Sequence, residues 1–184
     1  MNLNIADIIL LLLFIGAFVL GFIGGTIRQL LILVVWLVSF LLAANLAIPT
    51  GKFLGSYWSE FSAPYSQMLA FLLLYIGFLI IGNIIVFVMY KRSPMVGRLA
   101  FLDELLGGVL AVGVAVLIVG GFIAILDSFY QYQSVAATTE HPIVHSIFQA
   151  LEGSSIAAWL RDSFVLALGA VLSPLLPADL RPYL

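Results

Sequence analysis

The sequence predicts an all-α, polytopic membrane protein with four transmembrane helices plus a C-terminal interfacial or re-entrant helical tail, and three observations carry that expectation. Of 184 residues, 64% are hydrophobic and 9% charged, against about 45–50% and 25% in a soluble domain. Mean hydropathy is +1.22. The apolar residues gather in four runs, each long enough to cross about 30 Å of hydrocarbon at ~1.5 Å per helical residue. No strand-like alternation competes with them.

The four runs extend from Ile5 to Phe22, Ile27 to Ile48, Met68 to Tyr90 and Leu105 to Leu126. The first carries Asp7 near its start, no Lys or Arg there, and no A-x-A site after it, so it reads as a retained span rather than a cleaved signal peptide. Only Ile23, Gly24, Gly25 and Thr26 separate it from the second. This predicts a tight helical hairpin whose glycines allow the reversal, with spans one and two in contact. Between spans two and three, Pro49, Gly51, Gly55 and Pro64 alternate with Tyr57, Trp58, Phe61 and Tyr65, the composition of a loop at headgroup level.

Lys91, Arg92 and Arg98 form the basic cluster between spans three and four. The positive-inside rule makes that loop cytoplasmic, which places the turn near Arg28 inside and both termini outside. After Asp127 a polar linker, Ser128 to Thr139, leads to two helical patterns separated by Gly153-Ser154-Ser155, with Pro142 suited to a first helical turn and Gly153 to a helix end. In the second pattern Leu160, Phe164, Ala167 and Val171 share one face, which suits a helix packing on the spans. The chain thus divides into a four-helix transmembrane domain, residues 1–126, and an extracytoplasmic linker with a membrane-associated helical tail, residues 127–184.

Composition also excludes functions. Seven Lys+Arg against nine Asp+Glu, a net charge of −2, leave no basic excess for a nucleic-acid partner. The absence of cysteine removes disulfides, thiolate nucleophiles and thiolate metal sites. No G-x-S-x-G elbow, P-loop, H-E-x-x-H or dinucleotide fingerprint occurs. Glu140, His141 and His145 form too sparse a set for a metal, and a surface helix beginning beside Pro142 explains them. The expectation is therefore a protein that is not an enzyme and holds no cofactor or metal.

Structural or partner candidates come from small and polar residues. Ala17, Gly21 and Gly25 in span one, and Gly107, Ala111 and Ala115 in span four, recur every four positions. Such ridges allow close helix packing, within the chain or in a homo-oligomer. Arg28 opens span two at the depth where Asp103 and Glu104 open span four. A partly desolvated guanidinium seeks a carboxylate, so a contact of Arg28, preferably with Asp103, is expected. Asp7 and Asp127 read as solvated caps at the outer ends of spans one and four. Asn83, near the middle of span three, and Ser39 and Asn45 in span two need partners inside hydrocarbon, across helices or along a wet path.

Gly25, Arg28 and Trp36 within GTIRQLLILVVWLVSFLLA, and Asp103, Leu106 and Gly107 within LDELLGGVLAVGVAVLIV, resemble the colicin V production protein (CvpA) family of bacterial inner-membrane proteins with four spans. That family carries R-G-x-x-R in its first hairpin and D-R-x-L-G at the start of its fourth span. Here Gly24 and Glu104 stand where arginines are usual, and Val114 where a third often lies. The resemblance covers residues 1–126 and implies a non-enzymatic scaffold or accessory protein linked to toxin production or export and to envelope homeostasis. Its expected partners are the lipid bilayer and a separate membrane or extracytoplasmic protein. A small oligomeric channel or transporter, with Asn83, Ser39 and Asn45 along its path, is the alternative.

Overall fold

The computed structural model describes residues 4–57, 63–90, 98–132 and 142–165. In chain order these form α1 (Ile5–Gly24), α2 (Thr26–Tyr57), α3 (Ala63–Met89), α4 (Arg98–Tyr132), α5 (Pro142–Glu152) and α6 (Ser155–Leu160), with a π-helical stretch at Arg161–Val165. Among the described residues there is no strand. Four of the helices are long and apolar enough to cross a membrane. The 20 residues of α1 reach about 30 Å, while the 32 of α2 and 35 of α4 reach about 48 and 52 Å. The two long helices therefore tilt or project beyond the hydrocarbon.

The extra length corrects two loop expectations. The segment after Pro49 is helical to Tyr57, and α4 begins at Arg98 and continues to Tyr132. A proline inside a helix removes one backbone donor, yet α2 continues because α3 packs hard against it. A Cβ added to Gly51 would lie 2.7 Å from the Gln67 Cα, so the two backbones are in direct contact there. Packing of this kind overrides the local preference of Pro and Gly. Trp58 and Phe61 lie outside the described residues, as do Lys91 and Arg92.

The helices do not pack in chain order. The two extensive interfaces are α1 with α4 and α2 with α3, and α4 against α2 joins the pairs. Spans one and two were expected to pack as a hairpin, but little of α1 lies against α2. The reversal is made by Gly25 alone, at φ 75° and ψ 169°, a conformation open essentially only to glycine. Such a sharp corner lets the helices part at once, and α4 fills the space. For clarity, the end of the molecule where α1 stops and α2 begins is called the Gly25 end, and the opposite one the Asp7 end.

The core runs through α2, α3 and α4, with Phe40, Tyr65, Tyr75, Ile123 and Leu126 fully enclosed. Outside it, α1 exposes Ile5, Ile9, Leu12 and Leu20 by more than half, the surface of a helix facing lipid rather than water. At the Asp7 end α5 and α6 cover the bundle, adding Phe148, Leu151, Ala157 and Leu160 to the core. Leu160 thus lies on a buried face as expected; the side chain of Phe164, and Ala167 and Val171 altogether, lie outside the described set.

Candidate functional site

At the Gly25 end, the two small-residue ridges mate with each other. A Cβ on Gly107 would sit 2.6 Å from the Gly21 carbonyl oxygen and 2.9 Å from the Gly25 Cα, and one on Gly21 would collide with Ala111. No real Cβ approaches so closely, so these glycines set the α1–α4 separation. Without water to drive apolar helices together, such backbone proximity is a main source of packing energy.

That approach brings α4 under the start of α2. The Thr26 N–H donates to the Asp103 carboxylate at 3.0 Å, and the Thr26 hydroxyl donates to the Asp103 carbonyl at 2.9 Å. A helix N-terminus carries donors without intrahelical partners, and lipid cannot satisfy them. Asp103 from another helix does so. Glu104, one residue on, is half-buried.

Arg28 does not reach Asp103, which corrects the expected ion pair. Residues advance about 100° each around a helix, so Arg28 points some 200° from Thr26, toward α3 when Thr26 faces α4. Its guanidinium carbon lies 5.5 Å from the centre of the Phe87 ring, within cation–π range. Arg28 lines an open cleft of about 430 Å³ with Leu79, Ile80, Asn83, Ile84 and Phe87. Its Nε is buried without a hydrogen-bond partner.

Asn83 and Asn45 each donate from Nδ2 to the carbonyl four residues earlier, Leu79 and Leu41, both at 2.8 Å. Ser39 is buried on α2. The interhelical bond in this region is instead aromatic: Trp36 Nε1 donates to the Tyr75 hydroxyl at 2.9 Å, and that hydroxyl lies 3.4 Å from the Ile118 carbonyl as donor. It links α2, α3 and α4. This bond was missed at the level of sequence; buried Trp and Tyr carry polar atoms that need partners, the general signal from which it could be sought.

At the Asp7 end the expectation of solvated caps is also corrected. Asp7 is fully buried. Its Oδ2 accepts the Asn4 N–H at 2.9 Å, completing a capping box on α1, while Oδ1 accepts the Ser154 hydroxyl at 2.7 Å and the Ile156 N–H at 2.9 Å. One carboxylate caps its own helix and α6, whose Ser154 accepts the Ala157 N–H at 3.1 Å. Asp127 is held bidentately by Arg161, Nε to Oδ2 at 2.7 Å and Nη2 to Oδ1 at 3.0 Å. The Asn4 amide also donates to the Ala150 carbonyl at 3.1 Å. These long-range bonds tie the tail to α1 and α4.

Among the described residues, no group of three or more His, Asp or Glu converges as metal ligands would. His145 lies against Tyr130 and within 2.8 Å of Gln149 Nε2; Glu140 and His141 lie outside the described residues.

A family model described as colicin V production protein matches residues 6–172, and no curated protein and no solved structure matches the chain. The matched span takes in the Gly21–Gly107 contact, the Thr26–Asp103 clasp, the Arg28 cleft and both ties of the tail. By that match, which covers most of its length, the chain belongs to the colicin V production protein family.

Proposed function

We propose that this chain is a non-enzymatic scaffold or accessory protein of the bacterial inner membrane, serving toxin production or export and the upkeep of the envelope. The observation that carries this reading is the family match over residues 6–172 together with four helices able to span a membrane. The packing supports it: the described part of the tail is bonded onto the bundle through Asp7 and Asp127, and a separate protein partner is proposed to meet it there. Asn83 and Asn45 use amide hydrogens within their own helices, which favours a scaffold over an oligomeric pore lined by those amides. With Lys91, Arg92 and Arg98 on the cytoplasmic side, the Asp7 end and its tail face outward.

Complementation tests the reading. Expressed in a colicin V-producing strain that lacks its own family member, the chain should restore toxin release, and purified protein in liposomes should leave ion flux at the lipid background. Failure to restore release overturns the accessory role; flux above background favours the channel.

A further inference from the structure

We propose that the cleft between α2 and α3 at the Gly25 end is a binding site for an anionic phospholipid, with Arg28 holding the headgroup phosphate. The reasoning begins with a cation that lacks its counter-charge. Arg28 is the third residue of α2, where the helix dipole disfavours positive charge. Its Nε is buried without a partner, and its guanidinium rests on the Phe87 ring. A buried donor without an acceptor is costly. The carboxylate nearest in sequence logic, Asp103, is engaged with Thr26.

The cleft supplies what a lipid requires. It is open, about 430 Å³ in volume, and apart from Arg28 and Asn83 its walls are Leu79, Ile80, Ile84 and Phe87. Ile80, Ile84 and Phe87 are each more than half exposed, and the first two, four residues apart, form a ridge along α3 beside which an acyl chain can lie. Asn83 donates one amide hydrogen to Leu79 and has a second for a headgroup oxygen. A soluble phosphate ion would gain nothing from these walls. The Arg28 charge in the cleft favours an anionic headgroup over a zwitterionic one, whose ammonium it repels. The site is independent of the accessory role, since it concerns only this cleft and the lipid beside it.

Native mass spectrometry of the full chain, delipidated in neutral detergent and titrated with dioleoyl phosphatidylglycerol or dioleoyl phosphatidylcholine, tests the site. The first phosphatidylglycerol should bind about fivefold more tightly than phosphatidylcholine, equivalent to ~1 kcal/mol for one basic side chain at a membrane surface. Arg28→Gln should remove that preference, and Lys52→Gln, at the other end of α2, should retain it. Ile84→Trp, which fills the groove without touching the charge, should also remove it, and decides the matter if Arg28→Gln fails to fold. Glycerol 1-phosphate, a headgroup without chains, should not compete. Equal binding of the two lipids, an undiminished preference in Arg28→Gln or Ile84→Trp, or full competition by glycerol 1-phosphate overturns the proposal. So does a dimer in lipid-free detergent that Arg28→Gln abolishes, which would assign the cleft to a second copy of the chain.

Discussion

Asp103 caps a helix to which it does not belong: its carboxylate accepts the Thr26 N–H at 3.0 Å and its carbonyl accepts the Thr26 hydroxyl at 2.9 Å. Asp7 does the same for α6 at the other end. Both reflect one constraint: each helix beginning near or inside the membrane must find acceptors for its first N–H groups, and a neighbouring carboxylate is a strong one. Replacement of Asp103 by Ala should lower stability by about 0.5–2 kcal/mol, the range for a lost N-cap. Asp103→Asn, which retains an acceptor oxygen, should lose less. Unfolding in mixed detergent micelles measures both, and equal losses would remove the cap from the account.

The close approach of α1 and α4 predicts a sharp contrast among glycines. Gly21→Leu and Gly107→Leu should abolish folded protein in detergent, because the added side chains meet backbone that cannot retreat. Gly16→Ala and Gly77→Ala, where nothing lies within 4 Å of the new Cβ, should change the melting temperature little. Size-exclusion profiles and thermal melts separate the groups. Tolerance of leucine at both tight positions would contradict the packing.

Release of the tail should follow loss of one partner of the Arg161–Asp127 pair. Their side chains are only 17% and 12% exposed, so Arg161→Ala or Asp127→Ala should each destabilise by about 3 kcal/mol, as for a largely buried charge left alone, while the double substitution recovers much of the loss. Limited proteolysis should cut the single variants sooner. Additive effects in this cycle would mean that the pair does not hold the tail.

Tyr75→Phe removes the hydroxyl that links α2, α3 and α4 through Trp36 and the Ile118 carbonyl. It leaves Trp36 Nε1 without its acceptor while conserving ring packing. The expected cost is about 1 kcal/mol, the scale of interhelical bonds in membranes, with a shift of tryptophan emission. An unchanged spectrum and melt would show that the bond contributes nothing.

Orientation is open to a direct check. A phosphatase reporter fused after Asp127 should be active only outside the cytoplasm if Lys91, Arg92 and Arg98 face inward. Activity of a cytoplasm-specific reporter at that position would invert the arrangement.

Hydropathy and length sufficed to locate the four spans, because crossing lipid imposes a minimum apolar run irrespective of neighbours. Their ends were less legible: α2 passes through Pro49 and α4 reaches Tyr132, and contact with other helices, absent from local sequence, sustains both extensions. Gly21, Gly25 and Gly107 were recognisable as packing residues from their spacing, yet their spacing is equally compatible with an α1–α2 contact and with the α1–α4 contact that forms.

The same distinction separates Arg28 from its expected partner. Equal depth made Asp103 a reasonable acceptor, but depth is one coordinate, and the angular position that turns Arg28 to α3 and Thr26 to α4 depends on how the helices are arranged. The apolar runs along the chain therefore specified a four-span membrane protein, since every span must individually satisfy its backbone in lipid. Which helices adjoin, which carboxylate caps which helix, and which cation is left facing a cleft were decided by tertiary structure. In hydrocarbon there is no general hydrophobic attraction between helices, so partners are selected by fit between glycine backbones and by hydrogen bonds between residues as far apart in the chain as Asp7 and Ser154.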